Sequence, residues 1–273
     1  MPILAKIAYA NGSNPTTVLV FRFLISTLIL FLYLKCNHIN IKLIKEQVVL
    51  LLSIGIIGYT ITTQALFISY SYLGAGLATT LHFIYPVVVC ITGFIFFKNK
   101  MSNKKIISLL LAILGVYSLV AFKNNTMNIC GISLALFSGV TYGLTMIALN
   151  LNLIKTLDNR VITMYICFGS TIGMTLYGLF TNSIILNFNF TAIGCYLGIS
   201  IISTIASMLL LLKAIKIIGV SSSSILGTFE PILSIFLGAL FLGENLSLAL
   251  LIGSVLILIS TTILAKDRCA SSN

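Results

Sequence analysis

The chain has 273 residues, of which 59% are hydrophobic and 8% charged. No water-soluble domain hides that much apolar surface, so the composition excludes a soluble enzyme or binding module and requires an integral membrane protein. A net charge of +11 does not point to nucleic acid, because the basic residues lie between apolar segments and not in one patch.

Residues 1–10 are apolar, interrupted by Lys6, and too short to span a bilayer. They lack the pattern of a signal peptide and read as the last third of a helix whose beginning is missing. Residues 11–15 form a turn by composition. Nine spans are then expected, over 16–34, 47–69, 76–97, 105–122, 129–149, 161–180, 192–212, 219–242 and 246–265.

Loop charges fix a topology independently. Alternate loops hold Lys35, Lys42 and Lys45; Lys98, Lys100, Lys104 and Lys105; Lys155 and Arg160; Lys213 and Lys216; and Lys266 and Arg268. The intervening loops and the N-terminal tail hold only Lys6 and Lys123. The positive-inside rule places the basic side, and with it the C-terminus, in the cytoplasm of a multi-pass protein of the cell membrane.

A shift of 145 residues brings two halves into register, 1–123 and 124–273. Gly74 meets Gly219, Pro86 meets Pro231, Gly93 meets Gly238, and Ile107 meets Ile252. By the charge count, 76–97 runs inward and 219–242 outward, so the repeat is inverted. The expected fold is an all-α membrane protein built from an inverted repeat of helical bundles.

The stretch 221–244, SSSSILGTFEPILSIFLGALFLGE, carries Glu230 near its middle, followed by Pro231. A charged side chain at mid-bilayer costs about 2.5–3.5 kcal/mol on insertion scales, so it faces a protein interior or a wet cavity. Ser223, Gly227, Glu230 and Ser234 fall on one helical face, read as a wall of a solute path. The shift sets His82 opposite Gly227 and Tyr85 opposite Glu230. A cavity lined by His82, Tyr85, Ser223 and Glu230 is expected, with Gln64 and Tyr59 from the preceding span and with Pro86 and Pro231 as helix breaks. Glu230 suits either proton coupling or a substrate amine. For His82 a hydrogen-bonded packing role stands beside the binding role. Arg22, about 10 Å into its span, either snorkels to the outer interface or binds a substrate carboxylate. Gly139/Gly143, Gly169/Gly173 and Gly194/Gly198 are GxxxG pairs, expected at helix contacts. The six cysteines show no CxxC spacing, so no metal, disulfide framework or cofactor is expected, and no phosphate-binding loop suggests ATP coupling.

The half-repeat FEPILSIFLGALFLGE followed by LSLALLIGSVLILIS, with PILAKIAYANGSNPTTVLVFRFLIS near the start, resembles the EamA-type members of the drug/metabolite transporter superfamily. The resemblance covers essentially the whole chain. It implies ten helices as five plus five inverted repeats, here nine because the first helix is mostly missing. A terminal carboxylate appears once only, at Glu244, where the first half has Lys98, Asn99 and Lys100. The resemblance implies a secondary transporter that exports a small metabolite such as an amino acid or derivative, coupled to an ion. Efflux of small cationic drugs and a non-transporting membrane scaffold stand as alternatives. The expected partners are the lipid bilayer, a small-molecule solute, a proton as one option for the coupling ion, and a second copy as one option for assembly.

Overall fold

The computed structural model describes residues 2–97, 103–121, 128–185, 189–227, 240 and 248–270. Every regular element among them is helical, the solution that satisfies each backbone group inside a bilayer. In order these are α1 (Pro2–Ala10), α2 (Pro15–Cys36), α3 (Lys45–Ser53), a π-helical segment Ile54–Tyr59, α4 (Thr60–Tyr72), α5 (Ala75–His82), α6 (Tyr85–Phe97), α7 (Asn103–Ala121) and α8 (Ile129–Leu149). There follow α9 (Asn152–Lys155), α10 (Asn159–Phe180), α11 (Phe190–Gly198), a second π segment Ile199–Ala206, α12 (Ser207–Gly227) and α13 (Leu248–Ala270). Among the described residues five runs are long and apolar enough to cross a membrane: Pro15–Cys36, Lys45–Tyr72, Ile129–Leu149, Asn159–Phe180 and Phe190–Ile217. The expected count of nine spans extends over residues outside the description, including most of 219–242.

The chain forms two compact units, 1–67 with 148–216 and 68–147 with 217–273. Each unit draws on both halves of the sequence.

In the first unit α2 and α10 lie antiparallel. The Asn14 amide at the start of α2 donates to the Ser183 carbonyl beyond the end of α10. At the other end the Arg160 guanidinium lies 5.9 Å over the Tyr33 ring. The two helices are copies of one design set 144 residues apart. Each has 22 residues and a polar N-cap: Asn14 accepts from the Thr17 amide and Asp158 from the Arg160 amide, both at 2.8 Å. Each closes on a left-handed residue, His38 (φ 52°) or Asn182 (φ 47°). The matching bonds, Ile39 N–H to the Leu34 carbonyl and Ser183 N–H to the Gly178 carbonyl, are both 3.0 Å.

The two π segments also begin at equivalent positions, Ile54 and Ile199, 145 apart. A π turn widens the helix and leaves carbonyls poorly served by the helix itself. Serines of the opposite half approach two of them, while each keeps a shorter bond within its own helix, Ser170 to the Ile166 carbonyl at 2.9 Å and Ser26 to the Arg22 carbonyl at 2.7 Å. Ser170 Oγ reaches the Gly55 carbonyl and Ser26 Oγ the Ser200 carbonyl, each at 3.2 Å. The repeat operation exchanges these two bonds, since Ser26 corresponds to Ser170 and Gly55 to Ser200.

The second unit repeats the logic. Along antiparallel α7 and α13, the Ser108 and Ser260 hydroxyls each donate to the other's carbonyl, at 2.6 and 2.5 Å. Two turns further, Gly115 lies so close to α13 that an added Cβ would sit 3.0 Å from the Gly253 carbonyl. Shifting by 145 turns the Ser108–Ser260 contact into the Gly253–Gly115 contact. The inverted repeat expected from sequence is therefore written into both units.

Of the GxxxG pairs, Gly139/Gly143 and Gly169/Gly173 are at helix contacts. A Cβ at Gly139 would stand 2.5 Å from the His82 carbonyl, and one at Gly169 2.8 Å from that of Leu52. Gly198 also lies at a helix contact, against the Leu4 side chain of α1 at 3.3 Å, whereas Gly194 is a correction: among the described residues it meets nothing within 4 Å. A glycine spacing marks a smooth helix stripe, but a partner must be there to use it.

Asp158 also grips Arg160 through both carboxylate oxygens, at 3.0 and 2.6 Å. Those bonds to Arg160 hold its carboxyl below the usual carboxylate range. Asp158→Ala is expected to lower stability by about 1 kcal/mol, the ordinary loss for an N-cap. Because the folded-state pKa is the lower one, this contribution is present above about pH 4, where an unfolded Asp ionises, and fades as pH falls through the folded value. Thermal unfolding in detergent at pH 7 and pH 3 checks it: the gap between wild type and Asp158→Ala should narrow in acid.

Candidate functional site

Among the described residues, a buried polar cluster stands out in each unit. In the first, Arg22 sits eight residues into α2 and is only 5% exposed. Its Nε donates to Thr204 Oγ1 at 2.6 Å. The Thr204 hydroxyl in turn donates to the Ile199 carbonyl at 3.1 Å, five residues back, a reach that the π segment makes possible. The guanidinium carbon lies 4.9 Å from the Phe23 ring centroid and 5.8 Å from that of Phe67, so its planar faces are lined by aromatic rings. The Arg22 backbone is held as well, its carbonyl accepting from Ser26 Oγ at 2.7 Å and Ser200 Oγ at 3.0 Å.

Around this cation stand buried hydroxyls and one amide. Tyr59, the last residue of the first π segment, is 7% exposed, and the charge of Arg22 reaches it. Gln64, one helical turn further along α4, donates through Nε2 to Thr16 Oγ1 at 2.9 Å. Its Oε1 is buried, with no hydrogen-bond partner among the described residues. A buried acceptor left over in this way is an uncommon and costly feature.

In the second unit the chain breaks between α5 and α6 at Phe83–Ile84. Pro86 therefore stands in the first turn of α6, where its missing N–H costs least, and not inside a continuous helix. Thr79 and His82 share one face of α5, and Pro86 belongs to the next helix. α8 approaches the break because Gly139 has no Cβ. His82 Nδ1 lies 2.8 Å from Ser138 Oγ of α8. The imidazole centroid is 5.2 Å from the Tyr142 ring and 6.0 Å from the Tyr85 ring, and those two rings meet edge to face at 4.9 Å.

The chain matches the model of the EamA-like transporter family over residues 1–121 and 129–266. It belongs to that family. An EamA-like chain is a membrane transport protein, not an enzyme, and the family sits within the drug/metabolite transporter superfamily. Relatives agree at the level of their names. An uncharacterized transporter of Archaeoglobus fulgidus (strain ATCC 49558 / DSM 4304 / JCM 9628 / NBRC 100126 / VC-16) is 26% identical over 223 residues, covering 79% of this chain and 77% of its own. The uncharacterized transporter YcbK of Bacillus subtilis (strain 168) is 26% identical over 265 residues, covering 92% and 83%. A chain of known crystal structure superposes with a TM-score of 0.66 at 13% identity, covering 96% of this chain and 92% of that one, a likeness of fold alone.

For this EamA-like chain, the structure sorts the residues singled out from sequence. Arg22 and Tyr59 come within electrostatic reach in the first unit, Gln64 bonds Thr16 on the same helix as Arg22, and His82 and Tyr85 come together in the second. Arg22 is inside the protein, so its snorkelling reading falls: the guanidinium is turned to Thr204 and two aromatic rings. Ser223 lies on the backbone of α12, with its side chain outside the described residues. Glu230, Pro231 and Glu244 lie outside the described residues altogether. Sequence reasoning missed Thr204, Ser138 and Tyr142, which are unremarkable residues in apolar spans until folding sets them beside Arg22 and His82.

Proposed function

We propose that this EamA-like chain is a secondary transporter that exports a small metabolite, an amino acid or a derivative of one, by ion-coupled alternating access. The observation that carries the reading is the buried Arg22, fixed by Thr204 and the second π segment inside an antiparallel pair of repeats. A cation held at that depth is expensive and suits a solute carboxylate. Tyr59 and the unspent Gln64 Oε1 border the same region and are assigned to solute recognition. Glu230 keeps the coupling role, as a protonatable group in the outward half of the cycle, with Pro231 and the α5–α6 break near Pro86 as places where helices bend. The C-terminus is placed in the cytoplasm and the chain in the cell membrane, as the loop charges require.

Purified protein reconstituted into liposomes and offered a metabolite panel, with and without a pH gradient, tests this. Gradient-driven accumulation of an amino acid or derivative is the expected result, lost in Glu230→Gln. A panel in which nothing moves under either condition would favour the scaffold alternative. Movement of organic cations alone would favour cationic drug efflux.

A further inference from the structure

The second unit's corner between α5, α6 and α8 has a polarity that its hydrogen bonds determine. Ser138 Oγ makes two bonds, one of 2.6 Å to the Ala135 carbonyl and one of 2.8 Å to His82 Nδ1. A carbonyl only accepts, so the single hydroxyl proton is spent on Ala135, and Ser138 Oγ must accept from His82 Nδ1–H. The neutral imidazole is thereby held with a bare lone pair on Nε2. Among the described residues no group is bonded to that nitrogen, in a side chain 8% exposed.

A second unspent acceptor lies one turn back on the same face. Thr79 Oγ1 is buried, its residue 1% exposed, and among the described residues it has no hydrogen-bond partner. Its neighbour Thr80 shows the usual alternative, a 2.7 Å bond to the Gly76 carbonyl. His82 Nε2 offers only a lone pair, with the Tyr85 and Tyr142 rings beside its imidazole, and the Thr79 hydroxyl is able to accept as well as donate. They suit a group that brings both N–H donors and positive charge.

We infer that the His82–Thr79–Tyr85–Tyr142 corner binds a protonated amino group. His82 Nε2 and Thr79 Oγ1 accept from the ammonium, and the two tyrosine rings border its charge. Ser138 acts as a positioning residue by fixing the tautomer. The inference rests on the transporter reading for the identity of the ligand as cargo, but the site itself is read by binding.

Two probes separate the ends of an amino acid: leucine methyl ester keeps the amine without the carboxylate, and N-acetyl-leucine the reverse. Calorimetric titration of the full chain in lipid nanodiscs should show the ester binding the wild type. His82→Leu should weaken it at least about tenfold, the loss expected for a hydrogen bond to a charged group. His82→Gln, whose amide oxygen is an acceptor, should recover part of that loss, and Ser138→Ala should weaken the ester severalfold with His82 still present. N-acetyl-leucine affinity should be unchanged in all three, which also shows that they are folded. Ester affinity that does not respond to His82→Leu, or a wild type that binds N-acetyl-leucine but not the ester, overturns the amine site and leaves the carboxylate reading standing. His82-dependent ester binding without any movement into liposomes overturns the transport reading and leaves the amine site standing.

Discussion

Arg22→Met is expected to reduce transport of a carboxylate-bearing solute by about 30-fold or more while lowering stability only modestly. The two halves of this expectation come from one fact, the burial of the guanidinium at 5% exposure with Thr204 and two phenylalanine rings as neighbours. Truncating one member of a buried charge-assisted contact with a ligand costs about 2 kcal/mol or more, and 1.4 kcal/mol is a factor of ten. Arg22→Met also removes the donor to the Thr204 hydroxyl, a loss of about 1 kcal/mol of stability, smaller than the loss of transport. A merely structural arginine gives a different pattern, a markedly lower unfolding temperature with proportionate loss of everything else. Arg22→Lys separates charge from shape. Lysine keeps the cation but has no planar face for Phe23 and Phe67 and no fixed fork for Thr204 Oγ1, so most of the activity should still be missing. Liposome uptake, with the unfolding midpoint measured alongside, decides the matter. Unchanged uptake in Arg22→Met would remove the carboxylate role.

How much of this was open to a reader of the sequence depends on the kind of feature. The repeat was legible because prolines and glycines keep their spacing: Pro86 and Pro231 stand 145 apart, and the same interval relates the two π segments. The π segments themselves were not. IGIIGY and ISIISTIA share no residue pattern that differs from an ordinary apolar helix, because the widened turn is met by a serine from another span. The depth of Arg22 could be counted along α2, but not its direction, since Thr204 lies 182 residues away. His82 was visible as a lone histidine. Its tautomer was not, because that follows from Ser138, on a helix 56 residues on, and from how Ser138 spends its one proton. Pro86 pointed to the right break and missed its position by two to three residues. The broken turn comes before the proline, where the residues preceding the ring are pushed out of helical geometry.

The second large effect is expected at Gly55, where the first π segment touches α10. An added Cβ there would lie 2.4 Å from the Ile166 carbonyl oxygen, 2.9 Å from the Ser170 nitrogen and 3.0 Å from the Gly169 Cα. All three are backbone atoms, so no side chain can rotate away, and the helices themselves must part. The facing glycines leave no slack: a Cβ at Gly173 would meet Thr60 Oγ1 at 2.4 Å and the Ile56 carbonyl at 2.9 Å. Separation would also stretch the 3.2 Å contact between Ser170 Oγ and the Gly55 carbonyl. Overpacking of this kind costs about 1–3 kcal/mol, so Gly55→Ala should lower the unfolding midpoint in detergent by roughly 5 °C. Gly194→Ala is the matched control, because open space surrounds that position and alanine favours a helix by up to about 1 kcal/mol over glycine. It should be neutral or stabilising. Gly55→Ser is the sharper test, since serine is the residue that the repeat places at the equivalent position, Ser200. There its hydroxyl bonds the Arg22 and Tyr196 carbonyls at 3.0 and 2.6 Å. Were the two halves interchangeable, serine at 55 would be accepted. Because the first half has closed its backbone contact while the second has opened room for Arg22, Gly55→Ser should be as damaging as Gly55→Ala. A serine tolerated at 55 would mean that α10 and the first π segment do not approach as closely as described.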